Sequence, residues 1–504
     1  MQDRTFANLV IVSYIIKSFR NDTDIINLLV TCKELYSHRK SLRFIKFPIE
    51  YYLQCVQKNI DVSHVPTLFK QIFLYESQHY HIFKTDLVRR LSVFKITLSP
   101  HPGKICPVLV KDLVIQDIHT LHLGGSFKGI VPEDTLPHSL ENLKFDINQP
   151  FTSSRQFPSH LVKLYLGSFD HGFPENILPK SLKNLSLPGL CVTPLSQISM
   201  PDSITSLRLG DNYNHPIDIL PKSLVVLILG NKFTYEQSLM QSLPPSCTKL
   251  RTGRTYNVKF VPKGIKKLRL GYGYNIKFEP GQLPEGLESL NVGDKYYHEM
   301  ELGVFPSTLK SLFLRGDHTQ YLKSGVFPNL TKLHVVIHPY DPFGDGILPD
   351  TLKSLYMQYS FSKRINRFPP NLEFLCVGVH FLYDCLRDVK SLKILNFGVQ
   401  YYTKLKPGDL PDSLEEIIIS QCAELAEGVL PNSGNLKTLR IDRGEVTCTQ
   451  RGKREADEST KQYFCQAQGR THDCGVLFTE DSLARHFVSF VWYNCSGPID
   501  LMKL

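Results

Sequence analysis

Over most of its length the chain repeats one arrangement of apolar and polar positions. The frame is an apolar residue, a proline, two positions, a leucine, two more positions, then two apolar residues separated by one. LPKSLKNLSL (Leu178 to Leu187) and LPKSLVVLILG (Leu220 to Gly230) are two clear copies. Twelve prolines from Pro137 to Pro369 mark the frame at steps of 18 to 23 residues, and it returns at Pro411 and Pro431. The 42-residue step between Pro369 and Pro411 holds one more copy, VKSLKILNFG (Val389 to Gly398), with Asp388 in the proline place. That makes fifteen units, and the 294 residues from Pro137 to Pro431 divided by fourteen steps give a mean period of 21.

The last two apolar residues of each unit are two apart, which places both on one side of a short strand. A unit of this length cannot bury them alone. Stacking successive units, with one short parallel strand each, places every leucine on its equivalent above and below. Proline, with a fixed φ and no N–H to give a ladder, suits the corner before the strand. Glycines after the strand (Gly167, Gly210, Gly230, Gly271, Gly293 and Gly378) suit an exit with φ > 0. The rest of each unit is too short and too polar for an amphipathic helix, which predicts an irregular or extended return. The expected fold is a mainly β solenoid.

The frame and its continuation resemble FNIP repeats, a leucine-rich-repeat-like family abundant in social amoebae and in giant viruses of amoebae. The stretch that names the family stands almost whole as Tyr213-Asn214-His215-Pro216-Ile217, and in part as Tyr256-Asn257 and Tyr274-Asn275. The resemblance covers residues 134–445 and implies a leucine-rich-repeat-like solenoid with protein or ligand binding. It carries no implication of a particular ligand.

In such a stack the outward strand positions are the surface available for recognition. Lys249 with Arg251, and Lys267 with Arg269, put four cations there in successive units. Like charges at strand spacing repel, and an acidic partner would relieve that cost. Toward the C-terminal units the outward places hold Phe313, Tyr356, Phe374, Ile394 and Ile418, of which the aromatics are candidate anchors. The bland readings are ordinary surface lysine and rings packed under loops.

Before the repeats, NDTDIINLLVTCKELY (Asn21 to Tyr36) can be capped by Asn21 or Asp22 and puts Ile25, Leu28, Leu29 and Cys32 on one helical face. Together with Leu9 to Phe19 it is similar to an F-box, which docks on the small adaptor of cullin-type ubiquitin ligases. The Leu-Pro opening of that family is absent from FANLVIVSYII. The other reading is an amphipathic helical cap over the end of the solenoid. The expected division is 1–50 for the F-box-like segment, 51–133 for degenerate first coils, 134–445 for the repeats and 446–504 for a non-repeat C-terminal cap. In that tail HFVSFVWYN (His486 to Asn494) is expected to cover the last coil's open edge. Its Cys465, Cys474 and Cys495, with His472 and His486, have spacings of no common zinc module.

Composition narrows the classes little. Net charge is +10, which permits an acidic partner without demanding one. Twelve cysteines without a CxxC pair, in a chain of 504 residues that needs no staples, fit reduced thiols and an intracellular, cytoplasmic setting, a host cytoplasm if the chain is viral. The apolar run Leu9 to Ile16 is too short to span a bilayer. There is no P-loop, GxSxG elbow, HExxH or dinucleotide-binding glycine run, so neither a cofactor nor catalysis is expected. The expected function is a substrate-recruiting adaptor of a cullin-type ubiquitin ligase. The alternative is a scaffold without a ligase role, gripping an acidic protein or nucleic acid through the basic strands.

Overall fold

The computed structural model describes residues 44–46, 49–59, 68–74, 92–98, 118–124, 131–169, 171–191, 193–254, 261–314, 322–336, 343, 346–358, 365, 367–378, 381, 386–397, 405–419, 429–431, 433–442, 445–450, 462–468, 473–479 and 489–493. The F-box-like segment, with Ile25, Leu28, Leu29 and Cys32, lies outside them, as does the Tyr256-Asn257 pair. The chain forms two units, Met1–Val258 and Lys259–Leu504.

In the first unit a helix, α1 (Ile49–Gln57), follows strand β1 (Phe44–Lys46). The strands continue as β2 (Leu68–Leu74), β3 (Ser92–Leu98), β4 (Thr120–Leu123), β5 (Asn142–Phe145), β6 (Lys163–Leu166), β7 (Asn184–Ser186), β8 (Ser206–Arg208), β9 (Val226–Ile228) and β10 (Lys249–Arg251). Each is parallel to the next, from β1 with β2 to β9 with β10. In the second unit the ladder runs through β11 (Lys267–Arg269), β12 (Ser289–Asn291), β13 (Ser311–Leu314), β14 (Lys332–Val336), β15 (Ser354–Gln358), β16 (Phe374–Cys376), β17 (Ile394–Asn396), β18 (Glu416–Ile419) and β19 (Thr438–Asp442). These too are parallel throughout. Each of the fifteen repeats supplies one strand, β5 to β19, and the fold is a mainly β, leucine-rich-repeat-like solenoid.

Within a coil the corner is a tight turn. The carbonyl of the proline accepts a hydrogen bond from the amide three residues on, as from Leu182 to Pro179, Leu224 to Pro221 and Leu352 to Pro349. In the unit that lacks a proline, Leu392 donates to Val389, so Val389 and not Asp388 stands in the proline place. The turn, rather than the preceding apolar position, defines the register. Two residues after the turn proline a hydroxyl reaches back one coil: Ser181 Oγ to the Leu161 carbonyl and Ser203 Oγ to Leu182, both at 2.7 Å, and Thr351 Oγ1 to Leu330 at 2.8 Å. These bonds give buried leucine carbonyls a partner and fix each coil on its neighbour. Three side chains per coil then face inward and are buried, as Leu224, Leu227 and Leu229 or Leu287, Leu290 and Val292.

The glycines divide into two kinds. Gly293 after β12 has φ +82, but Gly210 and Gly230 are not in the left-handed region. Their need is space: a Cβ on Gly230 would sit inside the carbonyl of Gly210, and one on Gly210 inside that of Pro188. The left-handed conformation belongs instead to the residue three before the turn proline, seen at Gly281, Gly303 and Gly346 and, with φ 55, at Asp134 and Asn176. Among the described residues one return holds an α-helix, against the expectation: α2 (Glu236–Ser242) lies in the 23-residue step between Pro221 and Pro244 and buries Leu239. This step is the longest between the frame prolines from Pro137 to Pro369, and a helix, rising only about 1.5 Å per residue, takes up the extra length. Two other returns hold a single 3-10 turn, Ser154–Gln156 and Leu195–Gln197.

Beyond the repeats, β20 (Glu445–Gln450), β21 (Gln462–Gln468) and β22 (Asp473–Thr479) form a separate antiparallel sheet. Strand β23 (Ser489–Tyr493) adds in parallel to β19, with Trp492 in register with Ile441. Among the described residues no helix is long and apolar enough to cross a membrane.

Candidate binding surfaces

Because inward and outward residues alternate along each strand, every short strand shows two outward positions, and these align into two rows across each unit. In the second unit one row runs Phe313, His334, Tyr356, Cys376, and the other Ser311, Lys332, Ser354, Phe374, Ile394. The rings touch. Phe313 lies 5.2 Å from His334, His334 stacks on Tyr356 at 5.4 Å, and Tyr356 meets Phe374 at 4.6 Å between centroids. Lys332 Nζ sits 4.9 Å from the Tyr356 centroid and 5.7 Å from that of Phe313, within reach of cation–π attraction to both. All four rings are half-buried.

The predicted anchors Phe313, Tyr356 and Phe374 are therefore brought into one ladder, although Phe374 belongs to the other row and reaches Tyr356 diagonally. His334 and Lys332 complete the ladder and were not anticipated. In their coil the turn runs from Phe327 to Leu330, so counting from Pro328 misses the outward places by one residue. Ile418 is 6% exposed and offers no surface.

Lys249 and Arg251 are both exposed on β10, with Val226 and Ile228 as their register neighbours on β9. Lys267 and Arg269 are exposed on β11, facing Ser289 and Asn291 on β12. The two pairs belong to different units. On these sides each cation has an uncharged register neighbour. Elsewhere in the second unit, cations just before the outward rows meet carboxylates one coil away, Lys353 with Glu373 at 3.5 Å and Lys437 with Glu415 at 3.6 Å.

The outward face of β3 to β8 is a groove of about 340 Å³, entirely within the first unit. Lys95, Lys144, Lys163 and Arg208 line it, and no carboxylate does. At its edge Asp146 takes up Lys144 at 2.8 Å and His122 at 3.0 Å. Burial alone would raise the Asp146 carboxyl, but hydrogen bonds and charge from His122 and Lys144 hold it below its usual value. Arg208 occupies the same place in its coil as Arg251 and Arg269, and that equivalence was legible in the sequence.

The aromatic-Asn stretch serves a different purpose. Tyr213 is fully buried, accepts a hydrogen bond from the Leu195 amide at 3.3 Å and stacks on Phe233 of the next coil at 6.4 Å. Tyr274 repeats this against Tyr296 at 6.2 Å. The following asparagines clamp the next coil: Asn275 Oδ1 accepts from the Tyr297 amide at 3.0 Å. The stretch is architecture: Tyr213 and Ile217 are buried in the stack, while Asn214 is exposed and bonds to the next coil. The family description "FNIP Repeat" matches residues 127–169, 193–232, 258–295, 274–317 and 390–422.

The chain carries FNIP repeats. Comparison of this FNIP-repeat chain with curated proteins finds no match. Among solved structures it is similar to CroV588, described as a novel circular LRR protein, at 23% sequence identity and a TM-score of 0.49, with 77% of this chain and 62% of that one covered. The FNIP-repeat chain thus spans less than two thirds of the length of that protein.

Proposed function

We propose that this FNIP-repeat chain is a non-catalytic, cytoplasmic protein-interaction module, and that the ring ladder of the second unit is where a target protein docks. The ladder carries the reading. Four half-buried rings with centroids 4.6 to 5.4 Å apart, crossed by Lys332, form a rigid amphipathic surface on the outward face. Rings of this kind lose little conformational entropy on binding and are enriched among the anchors of interfaces.

The finer proposal is that residues 1–50 join the chain to the small adaptor of a cullin-type ubiquitin ligase, so that a target held by the repeats is presented for modification. Its support is the F-box-like run from Asp24 to Lys33. Two measurements separate the parts. Co-purification with the cullin adaptor should disappear when Leu28 and Leu29 are changed to aspartate in a folded protein, and no association in the first place sinks the ligase part. Target capture should fall by about thirtyfold in Tyr356→Ala, the scale of an anchor worth about 2 kcal/mol. Capture unchanged in Tyr356→Ala and Phe374→Ala sinks the ladder.

A scaffold role without a ligase is favoured by the exposed pairs Lys249 with Arg251 and Lys267 with Arg269. In that case an acidic ligand is captured through these cations, capture weakens with salt, and reversal of the four charges abolishes it.

A further inference from the structure

We infer that the groove across β3 to β8 is a second, separate binding site, and that it takes an extended acidic peptide running across the strands. The site lies in the first unit and shares no residue with the ring ladder or the four cations discussed above, so it stands or falls independently of both.

The argument begins with charge. The groove is lined by Lys95, Lys144, Lys163 and Arg208 without a carboxylate. Lys144 is already held by Asp146 at 2.8 Å and lies 5.3 Å from the Tyr165 centroid. Among the described residues Lys95, Lys163 and Arg208 have no acidic partner. Three cations facing one groove of about 340 Å³ without internal neutralisation are complementary to a negatively charged occupant.

Spacing selects the kind of occupant. Lys95 and Lys163 stand in one row, joined through Thr120 and Asn142 by three strand-to-strand steps. Arg208 stands in the other row on β8, two steps beyond β6. At about 4.8 Å per step these separations are about 14 Å and about 10 Å. An extended chain rising about 3.3 Å per residue covers them in four and three residues, which places acidic side chains at peptide positions 1, 5 and 8. Odd positions then face the row of Lys95 and Lys163, and the even one faces the row of Arg208, as the alternation of an extended chain requires. Asn142 and Asn184 flank Lys163 in its row, and their amides can both donate to and accept from a peptide main chain.

A nucleic acid fits less well. Its phosphates along one strand are far closer together than these cations. Binding of single strands also uses several stacking rings, whereas this groove is lined by one phenol, Tyr165, and by His122, whose ring is already held by Asp146.

The test uses the full chain and a labelled synthetic peptide of about ten residues, uncharged apart from glutamates at positions 1, 5 and 8, followed by fluorescence anisotropy. Two competitors are a peptide of the same composition with the three glutamates contiguous, and a single-stranded oligonucleotide of matched length. The spaced peptide should bind at least about tenfold more tightly than either, and Lys163→Glu and Arg208→Glu should each weaken it by about tenfold. Lys183→Glu, exposed on the same unit outside the groove, should leave binding unchanged. A peptide with lysine at position 5 should restore binding to Lys163→Glu, which a folding defect could not do. Equal binding of the contiguous peptide or the oligonucleotide, or no binding of the spaced peptide, overturns the proposal.

Discussion

Asn214 reaches one full coil along the stack to Thr234, whose amide and hydroxyl donate to its Oδ1 at 3.0 and 2.9 Å. The equivalent Asn275, after Tyr274, accepts from the Tyr297 amide of the next coil at 3.0 Å. The most recognisable polar residue of the repeat is thus a clamp between coils. Asn214→Ala should destabilise the first unit by about 1 kcal/mol, the net worth of such a bond at a partly solvated site. Asn214→Asp, which keeps the acceptor, should lose less. Urea unfolding of the two variants checks the order, and equal losses would show that the side chain acts by something other than accepting these bonds.

Two glycine substitutions should fail for different reasons. At Gly303, with φ +80 and nothing within 4 Å of an added Cβ, alanine costs only its conformational strain, about 1–2 kcal/mol. Gly303→Asn should recover part of that, because Asn176 and Asp134 hold φ 55 at the equivalent corner. At Gly230 an added Cβ meets the Gly210 carbonyl and the Asp211 backbone, so Gly230→Ala must push two coils apart. The loss there should exceed about 3 kcal/mol, beyond ordinary overpacking of side chains, because backbone must move. Thermal unfolding of the three variants tests the ranking.

Alkaline pH should loosen the stack through its buried phenols. Burial pushes Tyr213 and Tyr296 up to about 12 from 10.0. A phenol whose folded value is raised stays neutral while its unfolded counterpart ionises. Its contribution is therefore complete below pH 10 and is lost as pH rises from about 10 to about 12. Stability measured in urea across that window should fall more steeply for the native chain than for Tyr213→Phe. Absorbance of phenolate should rise for these two residues only with unfolding or near pH 12. Parallel pH slopes in the native chain and the variant would refute the assignment to Tyr213.

The repeat frame was legible because a stack demands it. Identical corners need Pro at Pro179, Pro221 and Pro349, and strand positions such as Leu185 and Leu227 need an apolar partner above and below. Misreadings occurred where a place is defined by a bond rather than a residue type. Val389 makes the turn that proline makes elsewhere, and the Phe327 turn shifts His334 and Lys332 by one. Gly210 and Gly230 were correctly singled out for the wrong cause, since the close approach of a carbonyl one coil away is invisible along the chain.

The amino-acid sequence by itself determined the period, the inward leucines, the parallel strand in each unit and the outward placement of Phe313, Tyr356 and Phe374. These follow from local geometry repeated at a constant step, which periodicity records. The tertiary structure alone decided which outward residues meet. Tyr356 touches Phe374 from another row, Lys332 lies over two rings, and Lys163 shares a groove with Arg208 while Lys144 is taken by Asp146. Such contacts depend on the register between coils and on side-chain reach, and neither is written in the spacing of leucines and prolines.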